Sequence, residues 1–247
     1  MTTIEHRFLE AIGDAQGAEA ADRLCQACVG LLDVDAAAVS LVFDGANVGT
    51  FGVSGPEARM YDELQFTMGE GPCIDSVAAR APVLVADLAD PQEQRWPGYG
   101  PAMLAHQIRG VYAIPVVVAG EYVGALDLFR TNPDGAGAAQ MDGMVIAAQL
   151  AQLPLLDFLS EDVQAAITDP DSDAWTELNT LSRTEVSQAT GVLMAQLDLT
   201  ATAALARLRA HAYATGMTAT DVARDILDRR LRLEAPRCTH PRHVSSC

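Results

Sequence analysis

The sequence predicts an α+β chain in two folded parts: an antiparallel sheet with helices over the first 160 residues, then three short helices. Three observations lead there. Short apolar runs at Ala36–Phe43 (AAAVSLVF), Val111–Val118 and Tyr122–Phe129 end at or pair around turn residues, Asp44-Gly45 and Gly120, as hairpins do. Apolar residues recur at three- and four-residue steps in three consecutive segments between Thr184 and Leu233. Between the two parts lies a polar, acidic connector, Leu159 to Trp175, in which Asp169-Pro170 interrupts any helix.

Taken in order, Thr3 to Leu32 reads as one long helical pattern with Phe8, Ile12, Leu24, Cys28 and Leu31 among its apolar members. Cys25 and Cys28 form a C-x-x-C on it. Without a second pair or a strand–helix context, two buried thiols explain that spacing more simply than redox or metal chemistry. After the first strand and the Asp44-Gly45 turn, Val48–Val53 returns as the hairpin partner, and Glu57 to Gln65 is helical. Phe66–Ala79 (FTMGEGPCIDSVAA) is a Gly/Pro-punctuated loop running into a helix. Pro82–Asp87 is a strand, Pro91–Tyr99 a loop holding Arg95-Trp96-Pro97, and Ala102–Gln107 a helix. The two long strands follow, and Gln140–Leu159 closes the part as a helix.

In the second part, Val186, Ala189, Leu193 and Leu197 share one helix face, Leu205, Leu208 and Ala212 a second, Val222 and Ile226 a third. Thr200 suits an N-cap, Thr218 with Asp221 three later suits a capping box, and Gly216 suits a left-handed helix end. Another helix begins near Trp175 and Leu178, and beyond Leu233 the tail turns to Pro, Arg, His, Ser and Cys and is expected to be disordered.

The net charge of −17 is unevenly spread. From Thr176 onward nine arginines face seven acids, +2; before it seven arginines face 26 acids, −19. A surface that acidic repels phosphate backbones, so nucleic acid is not expected on the first part, and +2 alone does not predict it on the second. All sixteen basic residues are arginine. The start, MTTIEHRFLEA, is mixed-charge rather than a secretory signal. The longest apolar run, Val111 to Ala119, is too short to span a bilayer. Five scattered cysteines suggest no disulfide framework, so a cytoplasmic protein without membrane contact is expected.

At Gln188–Met194 (QATGVLM) the C-terminal part resembles the ANTAR domain, a three-helix RNA-binding module of bacterial antiterminators. The matching positions are Ala189, Gly191, Leu193 and Met194, then Ala204, Leu208, Arg209 and Ala212, then Asp221, Val222 and Ala223. Thr190 departs from the family, which usually carries Lys there. The first part resembles a GAF domain at Gly69–Cys73 (GEGPC), Pro82–Val83, Asp87, Arg95–Pro97 and Gly124–Leu128 (GALDL). The resemblance implies a GAF-like sensor domain over 1–160, a linker over 161–175, an ANTAR domain over 176–235 and a tail over 236–247. It further implies a homodimeric, signal-responsive antiterminator that holds paired stem-loops of an mRNA leader and so prevents a terminator hairpin; DNA is not an implied partner. The alternative is a small-molecule-sensing dimer whose C-terminal helices serve only protein–protein association.

Arg183, Gln188, Thr190, Arg207, Arg209, His211, Tyr213 and Arg224 are the candidates for RNA contact, because arginine suits phosphates and His and Tyr suit unpaired bases. Dimerisation is expected from the helices around Gln140–Leu159 and Trp175–Leu181. An unidentified small ligand would be lined by Cys73, Trp96, His106 and Tyr112. Cys73, at a helix start, could have a lowered thiol pKa, although a structural turn is the simpler account. No catalytic residues and no metal are assigned. The chain carries no G-x-S-x-G or H-E-x-x-H, and GEGPC lacks the spacing of a phosphate-binding loop. Without lysine, receiver-type phosphorylation chemistry is not expected. Asp87 and Asp127 lie on expected strands with nothing to pair them, and Cys238, His240, His243 and Cys247 are spaced too closely for an ordinary zinc site.

Overall fold

The computed structural model describes residues 3–158 and 183–234. The connector, the Trp175–Leu181 helix, and the tail with its Cys and His residues lie outside the described residues. The chain divides into two units, Met1–Thr184 and Glu185–Cys247.

The first unit is built on five strands: β1 (Ala36–Phe43), β2 (Ala46–Val53), β3 (Val83–Val85), β4 (Gly110–Val118) and β5 (Glu121–Arg130). Their order is β2-β1-β5-β4-β3, and every neighbouring pair is antiparallel. Asp44 and Gly45 both have positive φ, 50° and 72°. A turn of that hand matches the right-handed twist of the hairpin it closes. The antiparallel α+β plan is therefore as expected, but several spans are not; the helix expected over Gln140–Leu159, for one, breaks at Ala151. The long helix divides into α1 (Ile4–Ile12) and α2 (Gly17–Leu31), because Gly13 and Gly17 take φ of 59° and 52°. The third strand shrinks to three residues, and Asp87 lies past its end.

Period-two alternation makes the sheet two-faced. Ala37, Val39, Leu126, Leu128, Tyr112 and Ile114 point into a core covered by α1, α2, α6 (Ala138–Leu150) and α7 (Gln152–Asp157). Ala38, Val42, Val111, Ala113, Ala125 and Phe129 point into a second core under α3 (Pro56–Met68), α4 (Pro72–Ala79) and α5 (Tyr99–Ala105). Each large side chain fully buried here, such as Phe8, Phe51 or Phe129, contributes roughly 1.5–3 kcal/mol. β1 and β5 approach so closely that a Cβ on Gly124 would lie 2.0 Å from the Ser40 carbonyl oxygen. That contact admits no side chain.

The second unit holds α8 (Thr184–Leu197), α9 (Ala201–Thr215) and α10 (Ala219–Leu227). Its core is Val186, Ala189, Leu193, Ala204, Leu208, Ala212, Val222, Ala223 and Ile226. Leu197 and Leu205 are only partly buried, so the α9 stripe runs through Ala204 rather than Leu205. The caps fall as expected. Thr200 Oγ1 accepts from the Ala203 amide at 3.3 Å and Thr218 Oγ1 from the Asp221 amide at 3.1 Å, while Gly216 ends α9 at φ 67°. Among the described residues no single helix is long and apolar enough to cross a membrane.

Candidate functional site

Polar side chains interrupt the second core at one place. On β1, Ser40 occupies the inward position between Ala38 and Val42, and on β5 Asp127 occupies the one between Ala125 and Phe129. The β1–β5 register sets Ala38 opposite Asp127 and Ala125 opposite Ser40, so the two polar side chains are diagonal neighbours. β2 adds Asn47 and Thr50, α3 adds Asp62 and Gln65, and α4 adds Cys73. All seven are buried.

The GEGPC loop assembles this cluster. Gly71 takes φ 148°, and a Cβ there would lie 2.5 Å from Gln65 Oε1. The bare backbone lets the Gln65 amide straddle the loop: its oxygen accepts from the Cys73 N–H at 2.9 Å and its nitrogen donates to Asp127 Oδ2 at 3.2 Å. Glu70 of the same loop accepts from the amides of Gly98 and Tyr99 at 2.6 and 2.9 Å, which ties α5 to the loop.

Asp62 is the acceptor hub. Its Oδ1 accepts from Ser40 Oγ at 2.5 Å and Asn47 Nδ2 at 2.6 Å; its Oδ2 accepts from Thr50 Oγ1 and, at 3.3 Å, from Arg183 Nη2. Asn47 also lies 3.6 Å from Cys73 Sγ. Ser40 Oγ contacts Asp127 Oδ2 as well as Asp62, yet a hydroxyl carries one hydrogen. A neutral Asp127 carboxyl donating to Ser40, with Ser40 donating to Asp62, satisfies both contacts. The electrostatics point in the same direction. Burial, then the charge of Asp62, pushes Asp127 well above the usual carboxylate range. Cys73 is pushed up likewise, by burial first and then by Asp127 and Asp62. Burial thus outweighs any lowering by the helix start: the site desolvates a thiolate instead of stabilising one. Two polar atoms of this region, Asp127 Oδ1 and the Tyr99 hydroxyl, are buried without any hydrogen-bond partner.

The four expected ligand-lining residues do not share one site. Cys73 and Trp96 are buried in the second core, Trp96 donating to Asp75 at 3.0 Å. Tyr112 lies on the opposite face of the sheet, where its hydroxyl donates to the Asp134 carbonyl at 2.7 Å. His106 is exposed, with its ring 6.1 Å from that of Tyr61. Tyr61 instead borders a separate open cleft of about 380 Å³ with Asp35, Glu57 and Ile108. Asp87 is also apart, bound by Arg109 at 2.6 Å on the surface. Ser40, Asn47, Thr50, Asp62 and Gln65 escaped sequence reasoning. The signal that could have found two members of the cluster is parity: Ser40 and Asp127 are polar at core-facing positions of otherwise apolar strands.

The RNA-contact candidates separate too. Arg183 is buried in the first unit, paired with Asp62 and Glu63, with its guanidinium 4.3 Å above the Phe66 ring. Burial and pairing remove it from the surface cations. Gln188 is exposed on α8, and the Thr190 hydroxyl donates to the Val186 carbonyl at 2.7 Å. On α9, 100° per residue sets Arg207 and His211 on one flank of the buried stripe and Arg209 and Tyr213 on the other. Between the flanks runs an exposed ridge of Ala203, Ala206, Ala210 and Ala214. Arg207 donates to the Glu234 carbonyl at 2.6 Å, and Arg209 is partly buried, which lowers its pKa from the ordinary guanidinium value without discharging it. Tyr213 is 63% exposed. On α10, Arg224 meets Asp221 and Glu185 at 3.5 and 3.6 Å.

A GAF domain family model matches residues 18–153 and an ANTAR domain model matches 178–227. Among curated proteins no match was found. The GAF domain of a Coxiella burnetii phosphoenolpyruvate-protein phosphotransferase is 18% identical, with TM-score 0.49, and the match covers 66% of this chain and 95% of that one. A domain of a two-component sensor histidine kinase protein from Sinorhizobium meliloti gives 16% and 0.47, covering 60% and 95%. The substrate complex of a Staphylococcus aureus fRMsr protein gives 14% and 0.46, covering 62% and 93%. Likeness at that level transfers no chemistry to this chain. The two family matches describe a regulator in outline, a signal-sensing domain followed by an RNA-binding antitermination module. The chain belongs to the GAF domain family, and it carries an ANTAR domain behind its GAF domain.

Proposed function

We propose that this chain is a homodimeric antiterminator whose paired ANTAR domains hold two stem-loops of a nascent mRNA leader, under control of a signal received by the GAF domain. The exposed face of α9 carries the proposal. A ridge of four alanines presents no bulk, so the helix can approach a nucleic-acid backbone closely. Arg207 and His211 on one flank, and Arg209 and Tyr213 on the other, then reach the phosphates or unpaired bases on either side. Gln188 and Thr190 on α8 and Arg224 on α10 complete the proposed surface, with Arg224 leaving its two acidic neighbours for phosphate. Nothing in the reading requires catalysis. For the dimer, α7 offers Leu153 and Leu156, exposed by 47% and 43%.

Fluorescence anisotropy of the full chain with a two-hairpin leader RNA, against a scrambled control, tests the reading. Selective binding is expected, with Arg209→Ala and Tyr213→Ala each weakening it about tenfold, in line with roughly 1–3 kcal/mol for a stacked base. Equal affinity for both RNAs, unchanged by either substitution, would leave the C-terminal helices with association alone.

A further inference from the structure

The buried polar cluster has an unused capacity. Asp62, Asp127 and Cys73 each offer one ligand atom, and the three atoms lie within 4.8 Å of one another. Around a tetrahedral zinc-type ion, oxygen and sulfur ligands would stand about 3.3–3.8 Å apart, so a small contraction would close the set. The arrangement is more than a cluster of acids. One ligand is a sulfur, and Asp127 Oδ1 is a buried acceptor with no partner. A second orphan, the fully buried Tyr99 hydroxyl, lies within electrostatic range of Asp127, Cys73 and Asp62. Two unpartnered oxygens in one dry core are unfavourable, because each has lost its water without gaining a partner. A cation held by Asp127 through Oδ1 would give that acceptor its partner.

We infer that Asp62, Asp127 and Cys73 form a binding site for one divalent transition-metal cation inside the GAF domain. This departs from the sequence expectation, which assigned no metal. The donor set sets the class. One thiolate with two carboxylates suits borderline cations such as Zn²⁺ or Co²⁺; Mg²⁺ and Ca²⁺ prefer oxygen alone and Cu⁺ prefers more sulfur. Binding exchanges the protons of Cys73 and Asp127 for the ion. It also bears on Arg183. The four hydrogen bonds to Asp62 use its acceptor sites fully, and the Arg183 contact, at 3.3 Å, is the longest of those with ordinary lengths. A dication repels a guanidinium, so Arg183 is the partner that yields, keeping Glu63.

Co²⁺ is the probe, because cobalt bound to a thiolate shows a sulfur-to-metal charge-transfer band. Full-length protein carrying Cys238→Ser and Cys247→Ser, which disarms the tail thiols, is stripped with chelator and titrated with Co²⁺. One equivalent with that band is expected. Cys73→Ser should abolish the band, Cys28→Ser should leave it, and Asp127→Asn should weaken binding at least tenfold. Tyr99→Phe removes only the orphan hydroxyl and provides a mild variant, with an intact site. Far-UV circular dichroism checks that each variant is folded. A folded background protein without the band, or a band indifferent to Cys73→Ser and Asp127→Asn, overturns the inference. Metal uptake and RNA binding are measured separately, so failure of one leaves the other standing.

Discussion

Asp127 sits in a strand that reads as ordinary core, yet it holds the least comfortable carboxyl in the described chain. Its folded pKa is raised above the unfolded value of about 3.9, so the sign of its linkage is fixed. The stability it permits is fully present below about pH 4 and is lost as pH rises through the folded pKa. With chelator present, Asp127→Asn should therefore flatten the fall of Tm with pH and melt higher than the unsubstituted protein at pH 7. Thermal melts across pH settle it, and parallel curves for the two proteins would refute the assignment. Legibility at this scale was partial. The acid was visible, but its partners stand far off in sequence, Asp62 on α3 and Ser40 on β1. A pairing that is purely tertiary leaves no periodic trace. Arg183 misled for a related reason: an arginine beside an RNA-binding motif reads as a surface cation until its acidic pocket is seen.

Among the elements, the α3–α4 junction does the most to shape the site. Gly71 holds a backbone conformation closed to other residues and leaves room for the Gln65 amide, which connects Cys73 to Asp127. Gly71→Ala should cost roughly 1–3 kcal/mol through strain alone, plus the displacement of Gln65. Chemical denaturation would show it, and a midpoint equal to that of the unsubstituted protein would contradict it. Elements with strong local signals were legible: the Asp44-Gly45 hairpin, the Thr200 and Thr218 caps, and the Gly216 helix end. Where two signals competed, the reading failed. Helical periodicity that runs through Gly13 and Gly17 masks the break there, and on α9 the larger Leu205 masks the inward position of Ala204.

For the molecule as a whole, charge and fold divide the labour. The first part carries −19 and the second only +2, so RNA affinity must come from a few arginines rather than a basic surface. The three arginines proposed for RNA contact in each ANTAR domain, Arg207, Arg209 and Arg224, imply a shallow salt dependence, with log K falling about 2 units per tenfold salt per domain for single-stranded contacts. A slope several times steeper, measured by anisotropy across salt, would mean that other cations carry the binding. The sheet divides the first unit in a different way. On β1, Val39 and Leu41 face the dry core while Ser40 between them faces the polar cluster. Three adjacent codons thus answer to two demands: the outer two to packing, the middle one to the hydrogen bonds of a buried polar cluster. A single strand can then keep its packed face constant while the polarity of its other face changes one residue at a time.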